Sequence, residues 1–145
     1  MIAKKHWFLI AYMFIVGSTP LFSQTREIAY FDWERESDFK SRPRRFIINS
    51  QAEFKEMSDC LLFNFDFENY TIVGAQGISP GHFKPIVDIR IFENTVEKKV
   101  SIEVTISGGK ACACRVMKPS YKRIIYTDQL KSDFEIEFKY IFLEG

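Results

Sequence analysis

Nowhere in these 145 residues does an apolar run reach the length of about 20 that a helix needs to cross a bilayer. Neither sign of charge dominates, with 20 bases against 19 acids, and this excludes the concentrated positive field by which a chain holds nucleic acid or an anionic lipid surface. Histidine is limited to His6 and His82 and cysteine to Cys60, Cys112 and Cys114. The paired thiolate spacings of zinc sites are therefore missing. Gly108-Gly109-Lys110 lacks the earlier glycine, the following hydroxyl residue and the helix of a phosphate cradle, and is expected to be a hairpin turn. There are no repeats and no low-complexity tracts.

The one sustained apolar run, Trp7 to Val16, stands behind Lys4 and Lys5 and ends in Gly17, Ser18, Thr19 and Pro20. A basic start, an apolar stretch of about half a membrane span and a small-residue exit are the parts of a secretory signal. Cleavage is expected after Ser23, with Leu21 where a smaller residue usually stands and no cysteine behind the run to accept lipid. Left uncleaved, the same segment would be an N-terminal anchor and the protein's only membrane contact. Either way the domain is expected to be exported, secreted or periplasmic. Removing Lys4 and Lys5 and no acid turns 20 bases against 19 acids into 18 against 19, a net charge of −1. What remains has the length of one domain, and 15 Phe with 6 Tyr supply the bulk for its core.

Strand periodicity dominates the second half. Val100, Ile102, Val104 and Ile106 alternate with Ser101, Glu103, Thr105 and Ser107, the period of two that a half-buried strand imposes. Phe134, Ile136, Phe138 and Tyr140 alternate in the same way with Asp133, Glu135, Glu137 and Lys139, giving a strand with one wet face. A turn at Glu93, Asn94 and Thr95 should join Ile86 to Phe92 and Lys99 to Ser107 as an antiparallel hairpin. Further strands are predicted at Tyr70 to Gly74, Tyr121 to Thr127 and Phe46 to Asn49. Ser50-Gln-Ala-Glu53 has capping-box spacing, so a helix should start there, bury Phe54, Met57 and Leu61 and end near Cys60. The predicted fold is mainly β (α+β), an antiparallel sheet or small sandwich with one short helix near residues 50–60. Residues 1–23 are assigned to the signal, 24–45 to an N-terminal segment and exposed linker, and 46–145 to the β-rich domain.

The run Phe46-Ile-Ile-Asn-Ser50, then Glu53-Phe54, Phe65-Asp66-Phe67 and Tyr70-Thr-Ile-Val73, resembles exported bacterial domains grouped with the C-terminal domain of the protease complex subunit PrcB. The resemblance covers about Phe46 to Tyr140, with Asp66-Phe67 as the matching pair. It implies a noncatalytic β-rich module, which in its namesake stabilises a surface protease assembly through protein contacts. Gly77-Ile-Ser-Pro-Gly81-His82 stands where the family often has a Gly-Gly turn.

Export makes a disulfide the expectation, with Cys60 as one partner. Cys112 and Cys114 would share a strand face about 7 Å apart, too far to bridge each other. Either could pair with Cys60, closing a loop worth about 4 kcal/mol in the chain-entropy model; the resemblance favours Cys114. The remaining thiol is read as a small buried apolar side chain. A sharper alternative is a soft-metal site for Cu or Zn, in which Cys112, Cys114 and Met117 supply sulfur and His82 completes the set. A thiol enzyme would need His82 as base, with Asp88 or Asp66 orienting it, and oxidation of the cysteines would remove its nucleophile. Glu135 and Glu137 read as a solvated strand face, and Asp66 and Glu68 as the end of a turn.

Two basic groupings stand as candidate contact surfaces: Arg42, Arg44 and Arg45 around Pro43, and Lys118, Tyr121, Lys122 and Arg123 around Pro119. Either could hold a carboxylate or sulfate through charged hydrogen bonds. Tyr30, Phe31 and Trp33 form an aromatic segment that should pack on the sheet. The functional expectation is a domain without cofactor or catalytic centre that binds a protein or other macromolecule of the cell envelope.

Overall fold

The computed structural model describes residues 25–59, 63–79, 85–108 and 120–144. Among the described residues, eight strands form two four-stranded sheets. Sheet A holds β1 (Thr25–Ile28), β5 (Ile86–Asn94), β6 (Lys99–Gly108) and β8 (Glu135–Glu144), side by side in that order. Sheet B holds β2 (Tyr30–Asp32), β7 (Ser120–Asp128), β4 (Tyr70–Ile78) and β3 (Arg45–Ile48). The described residues are mainly β, with one short helix among them, α1 (Gln51–Met57), and a 3-10 turn at Glu36–Asp38.

The alternation in the sequence sets which rows face inward. Val100, Ile102, Val104 and Ile106 of β6 are buried with Ile89 and Ile91 of β5, against Val73, Ala75 and Ile125 of sheet B. That cluster is the core between the sheets, and Phe134, Ile136, Phe138 and Tyr140 close one side of it. The β5–β6 hairpin pairs Asn94 with Lys99, and the Asn94 side chain accepts from the backbone N–H groups of Val96 and Glu97 to fold the turn.

Sheet B is covered on its other face as well. Phe46, Ile48, Ile72 and Ile124 point away from sheet A into a second cluster, together with Phe54 from α1 and with Phe39. Trp33 is its hub: ring centroids of Phe39, Phe54, Phe63, Phe65 and Tyr126 all lie 5.3 to 6.3 Å away. Tilted and edge-to-face arrangements prevail, as the ring quadrupoles prefer. The result is three layers: sheet A, sheet B, and a helix-and-aromatic cap.

Four expectations need correcting. Residues 24–45 were expected to be an N-terminal segment and exposed linker, with Tyr30, Phe31 and Trp33 packing on the sheet, yet the stretch is part of the fold: β1 pairs with β5, β2 pairs with β7, and Phe39 is buried, its backbone bridging Ser58. The basic side chains of that stretch are exposed as expected, while the aromatic ones between them anchor it to the fold. The helix ends at Met57 rather than near Cys60, because Ser58 leaves helical geometry to make that bridge. Its capping box forms with Ser50 Oγ accepting from Glu53 N at 3.2 Å, but the Glu53 carboxylate accepts from Asn49 N at 2.8 Å, not from Ser50. Finally, β8 runs parallel to β6 within an otherwise antiparallel sheet A; Gly109 and Lys110 of the expected turn lie outside the described residues.

Candidate functional site

The described residues sort their charges into two kinds of surface. On the wet face of sheet A the basic side chains of Arg90, Lys99 and Lys139 all pair with carboxylates. Arg90 holds both oxygens of Glu27 at 2.7 and 2.9 Å, and Glu137 accepts from Lys99 at 2.6 Å and from Lys139 and Ser101 at 2.9 Å. Those donors, the Lys99 hydrogen bond foremost, hold the Glu137 carboxyl down to about 2. A general acid needs the opposite shift, so Glu137 is held as a carboxylate within its ion pairs. A shallow cavity of about 340 Å³ beside it is lined by these same paired groups.

At the margin of sheet B the picture reverses. Arg42, Arg44 and Arg45 are exposed, and among the described residues none of them pairs with a carboxylate. Two adjoining cavities converge on them. One, of about 320 Å³, runs between Arg42, Arg44, Gly77, Ile78, Tyr121 and Lys122. The other, of about 360 Å³, opens between the sheets among Arg44, Arg45, Ile78, Tyr121, Tyr140 and Phe142. The Arg45 guanidinium lies over the Phe138 ring at 5.6 Å, linking the rim of β3 to β8. Ile78 and Phe142 are 64% and 54% exposed, so the cations border apolar surface.

Strand register brings the two basic groupings together. Arg45 pairs with Ala75 across β3 and β4, while Gly77 and Gln76 pair with Tyr121 and Lys122 across β4 and β7. Gln76 secures the loop that carries Arg42 and Arg44: its Nε2 donates to the carbonyls of Lys40 and Pro43 at 2.9 and 2.7 Å, and its backbone N–H donates to Arg44 O at 2.8 Å. The Tyr121 and Tyr140 hydroxyls are both held above their ordinary titration range, chiefly by burial. Both stay neutral beside the arginines.

Not every predicted contact residue is free to act. Lys122 donates to the carbonyls of Phe39 and Glu36 at 2.7 and 3.3 Å and so fastens the 3-10 turn. Arg123 pairs with Asp32 at 2.6 Å. Tyr121 is buried, and its ring edge forms the floor between the cavities. Lys118 lies outside the described residues, as do Cys60, Cys112, Cys114, Met117 and His82, so the disulfide, soft-metal and thiol readings fall there. Asp66 accepts from the Asn69 side chain within its turn and Asp88 from the Tyr30 hydroxyl. Among the described residues no three of His, Cys, Asp and Glu are grouped to hold a metal ion, and no helix is long and apolar enough to cross a membrane.

A third cavity, about 280 Å³, lies between Trp33, Phe63, Phe65 and Tyr126 and the acids Asp32, Glu34 and Asp38. Asp32 and Asp38 are taken by Arg123 and Arg35. Sequence reasoning also missed Glu93, whose inward carboxylate accepts from Arg26 at 2.8 and 3.1 Å and meets Lys131 at 3.1 Å. Its signal was a lone acid in an apolar row. No protein-family model, curated protein or solved structure matches the chain.

Proposed function

We propose that this protein is an exported, noncatalytic binding domain whose partner is a protein of the cell envelope, held at the arginine-rimmed margin of sheet B. The observation that carries the reading is the convergence of Arg42, Arg44 and Arg45, without carboxylate partners among the described residues, on exposed Ile78 and Phe142. Planar guanidiniums beside apolar surface are the composition of protein contact sites, where aromatic and arginine side chains supply most of the binding energy. Arg26, Arg90, Lys99 and Lys139 of sheet A are already paired with carboxylates, whereas these guanidiniums are not, so an outside carboxylate gains more here than there. The signal-like start and the likeness to the PrcB C-terminal domain point the same way, toward a module that works through protein contacts outside the cytoplasm.

Arg42→Glu/Arg44→Glu tests it. Both side chains are exposed and unpaired among the described residues, so the variant should fold with an unchanged circular dichroism spectrum and unfolding midpoint. Affinity capture from solubilised envelope should then lose, by about tenfold or more, a protein that the parent chain retains, since like charges set against each other across an interface repel. Equal recovery by both chains would remove this margin as the contact surface.

A further inference from the structure

The binding-module reading leaves open how a partner is held, and β8 supplies a specific answer on which that reading does not itself depend. Among the described residues the two sheets have four outer strands, of which β1, β2 and β3 are four, three and four residues long, whereas β8 has ten and no further strand beside it. Short edges are one of the ways in which proteins keep unpaired backbone from recruiting other chains. β8 lacks that protection, and it contains no proline.

Which groups it offers follows from one hydrogen bond. Glu135 N donates to Lys98 O at 2.9 Å, so residue 135 turns its backbone toward β6. By the period of two along a strand, Lys139 and Ile141 do the same, and Ile136, Phe138, Tyr140 and Phe142 turn their N–H and C=O groups to the free side. The charges on β8 do not guard that side. Glu137 pairs with both Lys99 and Lys139 on the wet face. Toward its end the strand exposes apolar side chains, with Phe142 at 54% and Leu143 at 52%.

The surroundings of this edge specify its occupant. Arg44 and Arg45 line the same cavity as Tyr140 and Phe142, and Arg45 reaches over Phe138. A strand laid along β8 would therefore pass its inward side chains beside two guanidiniums that lack a carboxylate among the described residues. A second copy of this chain fits poorly, because pairing β8 with itself about a two-fold axis would bring two sets of the same arginines to one seam. We propose that the free edge of β8 receives an extended, acidic segment of a partner protein as a fifth strand of sheet A. Backbone hydrogen bonds to residues 136–142 give register, carboxylates meet Arg44 and Arg45, and one apolar side chain enters the 360 Å³ cavity.

The probe is a capped eight-residue peptide of alternating glutamate and valine, with a lysine–valine peptide as its counterpart, added to the full chain. Residue-resolved amide exchange by NMR should slow at Phe138, Tyr140 and Phe142 and stay unchanged at Lys139 and Ile141, which already bond to β6. The lysine peptide should bind about tenfold or more weakly. Phe142→Pro, which removes an outward N–H, should abolish binding, while Phe142→Val, which keeps it, should bind within a few-fold of the parent. Equal affinity for the two peptides, slowing at all five amides alike, unchanged binding by Phe142→Pro, or an edge already filled by self-association in sedimentation would each overturn the proposal. If the glutamate peptide fails while Arg42→Glu/Arg44→Glu still loses its envelope partner, strand addition falls and the binding-module reading stands. If both experiments fail, both fall.

Discussion

At Gly74 the backbone of β4 passes beneath the ring of Phe46, its direct partner on β3, so closely that a methyl group would overlap the ring atoms. Gly77 stands in the same relation to Tyr121 on β7, where an added Cβ would lie 2.8 Å from the hydroxyl oxygen and 3.0 Å from the ring. Both glycines are thus places where a cross-strand aromatic lies down on the backbone, and the two differ in what can give way. Phe46 is wedged among Phe39, Ile48 and Ile72 in the second core, whereas the hydroxyl end of Tyr121 borders the cavities beside Arg44. Gly74→Ala should therefore cost about 1–3 kcal/mol, the usual range for overpacking, and Gly77→Ala clearly less. Urea unfolding of the two variants measures this. Equal losses, or none at Gly74, would mean that the Phe46 ring has room the structure does not show.

Trp33 carries the corresponding argument for an element. The segment before β3 looks like a linker in the sequence because Arg35, Lys40, Arg42, Arg44 and Arg45 crowd it; Trp33 packs as the aromatic segment led one to expect, but the charge run hides Phe39, six residues on. Trp33 and Phe39 are nonetheless the ring contacts through which that segment closes the outer face of sheet B. Trp33→Ala should lower stability by about 3–5 kcal/mol, as truncation of a packed aromatic does, measured by thermal or denaturant unfolding; a true linker would show no change. What was legible beforehand had local causes: the inward rows of β5 and β6, the wet face of β8, the Ser50 cap and the Phe54 stripe each rest on spacing within one element. The parallel pairing of β6 with β8 had no local cause, since a one-sided alternation reads the same in either direction. The site was half legible. Arg42, Arg44 and Arg45 were named as a contact group, but their meeting with Tyr121 depends on long-range register, and Lys122 and Arg123 were lost to carbonyls and to Asp32 that no spacing rule connects to them.

At the scale of the whole molecule, the carboxylates that cations hold down among the described residues lie on sheet A, apart from the arginine margin of sheet B, and pH acts on them. Glu27, Glu93 and Glu137 are each held below the ordinary carboxylate range, the largest cause in every case being a hydrogen bond from a cation: Arg90, Arg26 and Lys99 respectively. A carboxyl whose folded value lies below its unfolded one releases its proton more readily in the fold. Its stabilisation is complete above the unfolded value of about 4.3 and fades as pH falls through the folded value. For Glu137 that places the loss between about pH 4 and about pH 2. Urea midpoints should accordingly hold steady from pH 7 to about 5 and then fall toward pH 2. Glu137→Gln, which loses the charged bonds to Lys99 and Lys139, should be less stable than the parent at pH 7 and converge with it near pH 2. Added salt should narrow the pH 7 difference, because these pairs are solvent-exposed and screened. A gap between parent and Glu137→Gln that persisted undiminished to pH 2 would show that Glu137 matters for its shape and not its charge. In that case the division of charge between the two sheets would lose its physical basis.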